Sequence, residues 1–493
     1  MKTTFRKSMI WLHTYTGLLG GWLLFAVFLT GTLSYYNQEI TQWMNHEKVS
    51  QHDQWTLLSH SVTVLEKEAL QAKSWQIQLP DDRGNKFSVS YRLNGKRKSM
   101  EFDANELTEK DKSISRGGDF FRTFHYTLSL RNWGGRYYTG IAAMLMLIGV
   151  FTGIYTHRRF FKDFFTIRSG VWKKFLTDFH AVAGVITIPF CFVISFSALL
   201  IYINMYQPFA IDRYFESYRA LDREVSTLHQ TTKEHGEKAA LSLNWQLFRS
   251  QLQAQWGEFK LSSVTINHPR DTNAQLIFVK DKANSLSNKA DSVAFNKYAE
   301  MQSPIASERL ARNVRRIFYG LHEAHFAEPL LRASLFILGM VSTLMISTGM
   351  IIWLAKRAVK QTKSSYNIVE RINHGMFYGL SLSVGLYLAC GKLNYFGLTV
   401  SHHDQIVFFM TWLISLIGCI ILQSNLAKRF LLLANLAAYS GLLLLDVVAV
   451  SMDGQMNIAH ATVTFWLTIA VLFFSYLYKA EQPVETSKEY KYA

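Results

Sequence analysis

The stretch Ile10–Tyr36, IWLHTYTGLLGGWLLFAVFLTGTLSYY, contains no charged side chain. It exceeds the roughly 20 residues that a helix needs to cross about 30 Å of hydrocarbon. Lys2, Arg6 and Lys7 precede it, but it is too long for a signal-peptide core and has no small-residue cleavage site, so it is expected to remain as an anchor helix. Comparable apolar stretches recur near 137–157, 179–206, 333–355, 369–390, 405–424, 429–450 and 458–479, in a chain that is 49% apolar. The expected fold class is therefore an α-helical integral membrane protein with about eight transmembrane helices.

The net charge of +16 reads as membrane topology and not as a nucleic-acid footprint, because the basic residues cluster between apolar stretches on alternate sides. Arg158, Arg159, Lys162, Arg168, Lys173 and Lys174 follow the second stretch, Lys356, Arg357, Lys360 and Lys363 the fourth, and Lys428 and Arg429 the sixth. These loops are expected to be cytoplasmic, with both termini on the same side of a bacterial inner membrane and anionic lipid as their partner. Cys191, Cys390 and Cys419 all lie within or beside apolar stretches, and there is no Cys-x-x-Cys or Cys-x-x-Cys-His. Disulfides, iron–sulfur clusters and covalently attached haem have no support.

Two polar insertions, 37–135 and 207–330, fall on the outer face in this topology, and each reads as a small α+β module. The first predicts a helix over Val62–Lys73 and strands over Ser74–Leu79 and Lys86–Leu93, with the turn Pro80-Asp81-Asp82-Arg83 between them. The second repeats the order: a helix over Leu243–Gly257, a strand over Phe259–Asn267, the turn Pro269-Arg270-Asp271 and a strand over Ala274–Val279. The predicted organisation is a first membrane helix to residue 36, module 1 over 37–135, two helices and a basic loop over 136–206, and module 2 over 207–330. A fourth helix over 331–357, a four-helix extension over 369–479 and a cytoplasmic tail over 480–493 complete it.

The duplication continues inside the membrane. His13-Thr14-Tyr15-Thr16-Gly17 answers His180-Ala181-Val182-Ala183-Gly184, and Thr152-Gly153 answers Thr348-Gly349. His125 and His322 each precede the apolar stretch that returns. Parallel repeats pack about an axis along the membrane normal and bring equivalent positions face to face, so His13 is expected to meet His180 near the inner surface and His125 to meet His322 near the outer one. Facing imidazoles suit the two axial positions of haem iron, which gives two haems. Gly17 and Gly184, four residues after a histidine on the same helix face, leave room for the porphyrin. His157 lies at a similar height to His13 and His180 and is the rival inner ligand. His402-His403-Asp404 is a separate metal-binding possibility, and His374 and His460 show no pairing.

Several blocks together resemble the PepSY-associated transmembrane family, whose members include iron-regulated inner-membrane proteins and FoxB-like siderophore-iron reductases. They are Trp11-Leu12-His13 running to Gly17, Phe124-His125-Tyr126, the run His157 to Arg168, and Leu321-His322-Glu323-Ala324-His325-Phe326-Ala327. The resemblance covers roughly residues 1–370. It implies a haem b protein with His13, His125, His180 and His322 at the family's histidine positions and His157 at one found in a subset. Its implied activity is to carry electrons from the cytoplasmic side to the periplasm, reduce ferric siderophore there and release the iron. Ser129 replaces a second histidine common in relatives, and His325 stands where the family pattern has arginine. The last four helices extend beyond the shorter members.

Siderophores hold ferric iron through hard oxygen donors that match ferrous iron poorly, so one-electron reduction loosens the chelate. Arg122, Arg131 and Arg136, with Tyr126 and Tyr138, are the candidates to receive an anionic chelate near His125, and His325 is a further substrate contact. No Gly-x-Gly-x-x-Gly follows a strand, so electrons are expected from a separate cytoplasmic reductase, a reduced flavin or membrane quinol. Two other readings compete: a dihaem electron carrier with a different acceptor, and a non-enzymatic iron or siderophore transport accessory.

Overall fold

The computed structural model describes residues 4–110, 115–156, 168, 172–206, 213, 235–236, 241–283, 285–288, 290–303, 310–357, 363–398, 403–453 and 456–481. The chain divides into two compact units. One comprises Met1–His46, Ile114–Ile188 and Phe336–Ala493, and the other Glu47–Ser113 and Pro189–Leu335. Among the described residues eight helical segments are long and apolar enough to cross a membrane, which agrees with the eight apolar stretches.

In chain order the helical elements are α1 (Phe5–Leu33), α2 (Asn37–Asn45), α3 (Gln54–Glu68), α4 (Asp119–Thr127), α5 (Gly135–Thr156), α6 (Trp172–Ile201), α7 (Ile203–Tyr206) and α8 (Trp245–Trp256). They continue with α9 (Leu310–Glu323), α10 (Pro329–Arg357), α11 (Lys363–His374), α12 (Leu380–Tyr395), α13 (Asp404–Ile421), α14 (Ser424–Asp453) and α15 (Ile458–Ala480). The strands are β1 (Ser74–Gln78), β2 (Lys86–Leu93), β3 (Lys96–Asp103), β4 (Glu109–Lys110), β5 (Leu261–Asn267), β6 (Gln275–Lys280), β7 (Ser292–Asn296) and β8 (Met301–Ser303).

The first span outruns its predicted end at Tyr36. A 3-10 turn over Ser34–Tyr36 joins α1 to α2 without a break, and the helical segment reaches Asn45. Close packing explains the glycine pair in its middle. A Cβ on Gly20 would come within 2.8 Å of Leu145 on α5, and one on Gly21 within 2.5 Å of Met350 on α10, so both helices approach α1 as only small residues permit.

The C-terminal four-helix extension packs against the same unit through aromatic side chains. On α4, Phe120 stacks on Tyr387 of α12 with centroids 4.6 Å apart and meets Phe408 of α13 edge-on at 4.9 Å; Phe120, Phe121 and Phe124 are all fully buried. At the far end of α12, Lys392 is wholly buried and lies 2.7 Å from Asp446 of α14, itself 1% exposed. Trp43 of α2 donates to the same carboxylate at 2.8 Å and turns its ring face to the Lys392 ammonium at 4.3 Å, while Thr464 of α15 donates to the second oxygen. A charge pair inside a membrane survives only with this degree of satisfaction.

The second unit holds an eight-stranded antiparallel sheet in the order β4-β3-β2-β1-β5-β6-β7-β8. Two separate modules were expected. Instead β1 of the first insertion pairs with β5 of the second, from Ser74↔Asn267 to Gln78↔Ser263, so the repeats share one sheet. Each repeat brings an unpaired edge to the centre and the other satisfies it. Trp75 and Ile77 face Tyr91 and Val89 on one side and Ile266 and Val264 on the other, and all six are at most 5% exposed in a single apolar core. Phe248 and Leu252 of α8 and Leu58 and Leu65 of α3 cover that face.

The strands over Lys86–Leu93 and near Ser74–Leu79, Phe259–Asn267 and Ala274–Val279 are present with small shifts. The helix expected over Val62–Lys73 begins earlier, at Gln54, because Asp53 caps it by accepting from the Trp55 amide.

Candidate functional site

Each of the four duplicated histidines is held in the same way, by its Nδ1 against a backbone carbonyl of another helix. His13 on α1 lies 3.1 Å from Gly149 O and 3.1 Å from Thr152 Oγ1, both on α5. His180 on α6 lies 2.8 Å from Met345 O on α10. His125 on α4 lies 2.8 Å from Val27 O on α1. His322 on α9 lies 2.8 Å from Ser197 Oγ and 3.1 Å from Ile194 O, both on α6.

A carbonyl oxygen only accepts, so the proton sits on Nδ1 in each ring and the lone pair of the neutral imidazole sits on Nε2. The two hydroxyls do not change this. Thr152 donates to Ile148 O and Ser197 to Val193 O, which leaves their oxygens to accept from the histidines. Imidazoles that ligate a metal through Nε2 are usually fixed by such an Nδ1–H contact.

The anchors obey the sequence repeat. Val27 follows His13 by as many residues as Ile194 follows His180, and Gly149 precedes Gly153 as Met345 precedes Gly349. Glycine lies against the rings at these positions. A Cβ on Gly153 would meet His13 Cε1 at 3.4 Å, one on Gly349 would meet His180 Cε1 at 2.8 Å, and one on Gly31 would meet His125 Nδ1 at 2.6 Å. The glycines singled out from sequence, Gly17 and Gly184, stand elsewhere. A Cβ on Gly17 would have nothing within 4 Å, and one on Gly184 only Met345 Sδ at 3.5 Å. Gly31, Gly153 and Gly349 are the glycines that admit the rings.

His13 and His180 lie together in one unit, with ring centroids 6.3 Å apart and planes at 74°. Two imidazoles on opposite sides of one metal ion have centroids roughly 6 Å apart, being separated by two N–metal bonds of about 2 Å and the ring radii. The donor set, its tautomer and this spacing fit haem iron. His125 belongs to this unit and His322 to the other, and each is described by its own anchors.

The rival inner ligand His157 lies outside the described residues, as do Arg158 to Ile167 of the basic loop and His402. Arg168 makes a two-pronged ion pair with Asp178 at 2.7 and 2.9 Å. Asp404 is buried and accepts from Ser115 Oγ at 2.7 Å.

Around α4 and the start of α5, Arg122 is exposed and pairs with Asp119 at 2.6 Å, and Arg136 lies 5.6 Å over the Tyr126 ring. Arg131, Arg136 and Tyr138 are exposed in the same short segment. His325 has its Nδ1 4.0 Å from Glu323, and burial together with the Lys282 ammonium holds its imidazole below the usual histidine value. The roles of Ser197, Thr152, Gly31 and Met345 were not read from sequence. Only the Thr-Gly match of the repeat pointed toward any of them.

These features define a class: a multi-pass helical membrane protein whose duplicated histidines are pinned at helix contacts. Residues 10–356 match the model of the PepSY-associated TM region, and the chain belongs to that family. No curated protein matches it. The C-terminal extension lies beyond the matched residues.

Proposed function

We propose that the protein is a dihaem b-type reductase of the bacterial inner membrane that passes electrons from the cytoplasmic side to the periplasm, where ferric siderophore is reduced and its iron released. His13 and His180 hold one haem through Nε2, and His125 and His322, each with its lone pair on Nε2, are assigned as the remaining haem-ligating histidines. The observation that carries the reading is the shared Nδ1 anchor of all four histidines, with the 6.3 Å spacing of the one pair that lies within a single unit.

When bound, haem supplies one-electron transfer without proton chemistry at the iron. The chain fixes ligand orientation through the carbonyls of Gly149, Met345, Val27 and Ile194, and raises imidazole basicity by the same contacts. Arg131 and Arg136 offer cationic, exposed donors to an anionic chelate, with Tyr126 and Tyr138 beside them. Reduction exchanges ferric for ferrous iron, which hard oxygen ligands hold less well, so release needs no acid or base from the protein.

The test is to add a ferric siderophore anaerobically to the dithionite-reduced protein and follow the haem bands. Reoxidation with ferrous iron appearing in a ferrozine assay supports a reductase. Haem that stays reduced identifies an electron carrier with another acceptor.

A further inference from the structure

The fifth membrane span, Tyr366–Tyr395, is interrupted. Between α11 and α12 the backbone adopts a π-turn over Gly375–Gly379, a geometry that often marks functional sites within helices. Close packing accounts for its glycines, since a Cβ on Gly375 would meet Leu416 at 2.8 Å and one on Gly379 would meet Ser415 at 2.6 Å. It does not account for the polar groups that flank the turn.

Asn373, 2% exposed, accepts from Trp22 Nε1 at 2.7 Å through its Oδ1, and its Nδ2 has no hydrogen-bond partner among the described residues. Asn435, fully buried on α14, donates from Nδ2 to Tyr378 O at 2.9 Å and to Leu431 O at 2.7 Å, and its Oδ1 has no hydrogen-bond partner among the described residues. One buried amide thus has a donor to spare and the other an acceptor, and a polar group left unmet in an apolar setting is destabilising. A ligand with an oxygen at each end of a flat apolar ring meets both needs. Phe25 and Phe377, with centroids 4.7 Å apart, provide aromatic surface beside the turn.

The next residue supplies a proton acceptor. His374 Nδ1 lies 3.4 Å from Ser424 Oγ, and Ser424 donates to Glu370 at 2.8 Å. With Nδ1 as the donor in that chain, the His374 lone pair is on Nε2.

We propose that the π-turn binds the head group of a membrane quinol. Asn373 donates to one ring oxygen and Asn435 accepts from the hydroxyl at the other end. Oxidation breaks the two O–H bonds of the quinol, and its two electrons pass singly to ferric haem, so this step rests on the reductase reading above. The two protons leave in turn through His374 Nε2 and then Ser424 and Glu370. Trp22 lies nine residues beyond His13 on α1, about 13 Å along the helix, and five before Val27. The turn therefore sits at a depth between His13 and Val27, the anchor of His125. This gives the C-terminal extension a role as the entry point for electrons.

The test uses the full-length protein in nanodiscs with an azido-benzoquinone photolabel, followed by peptide mapping. Label is expected in the peptide spanning Glu370–Leu382, displaced by excess unlabelled quinone and not by the same excess of diacylglycerol. Asn373→Leu and Asn435→Leu are each expected to lower labelling at least ten-fold with the haem absorbance unchanged. Wild-type label that maps to other segments, that diacylglycerol displaces, or that persists in both variants overturns the site. The wild-type map decides the question even if a variant does not fold. Colourless protein that still takes the label at this turn overturns the haem reading alone.

Discussion

The ring of His13 lies 6.3 Å from the ring of His180, each held by Nδ1 to a carbonyl four residues before a glycine that touches it. Two helices from different halves of the repeat thus present imidazoles to each other with the same tautomer. This relationship makes the histidines a candidate iron-porphyrin clasp rather than scattered polar residues at membrane ends.

Removing a ligand separates the sites. His180→Ala and His322→Ala are each expected to lower haem content by about half, and His374→Ala to leave it unchanged, as read from the Soret absorbance per protein. Full haem in both of the first two variants would mean that other residues bind it.

Gly349→Ala is a finer test of the same contacts. Its methyl would press on His180 Cε1 at 2.8 Å, so the ring must turn away from Met345 O, and haem is expected to fall toward half the wild-type value. Gly441→Ala, on α14, has open space around its Cβ and an ordinary helical backbone, and serves as the control for handling and yield.

The anchor of His322 admits a graded change. Ser197→Ala removes one of two acceptors for His322 Nδ1 and leaves Ile194 O at 3.1 Å. Loss of such a supporting contact commonly weakens metal affinity 10–100-fold, and with one acceptor retained the lower end, about ten-fold, is expected in haem-transfer assays to apomyoglobin.

The buried ion pair makes a double-mutant prediction. Lys392→Met leaves Asp446 charged and uncompensated in an apolar setting and is expected to cost about 3–5 kcal/mol, seen as a lower Tm in detergent. Adding Asp446→Leu is expected to recover most of that loss. A double variant as unstable as the single would show that the remaining partners, Trp43 and Thr464, dominate.

Acid should loosen the sheet unit through Asp103. Burial alone would raise its carboxyl, but the Lys110 ammonium at 2.8 Å and the amides of Asn105 and Glu106 outweigh it and hold the group below the ordinary 3.8. A depressed carboxylate contributes stability above its unfolded value, and that contribution is lost as pH falls through the folded one. Asp103→Asn is accordingly expected to lower Tm at pH 7 and to change it little once the pH is well below 3.8. An equal loss at both would assign the effect to the amide contacts alone.

The spans were legible because hydrocarbon thickness imposes a length and an absence of charge, which Ile10–Tyr36 displays directly. The duplication was legible because His13 and His180 recur with their glycines. The joined sheet was not, since strand alternation fixes which face of β1 and β5 is buried but not which edge they meet. Strand β3 was missed although Asn94-Gly95, both with positive φ, forms a two-residue hairpin loop between Leu93 and Lys96. Its Lys96-Arg97-Lys98 start masked the pattern. The histidine anchors escaped for a different reason: they are backbone carbonyls, and side-chain identity carries no mark of them.

Haem stoichiometry by pyridine haemochrome, on protein expressed with ample haem supply, tests the central claim most directly. Two haems b per chain are expected, and a colourless preparation would contradict the assignment of all four histidines.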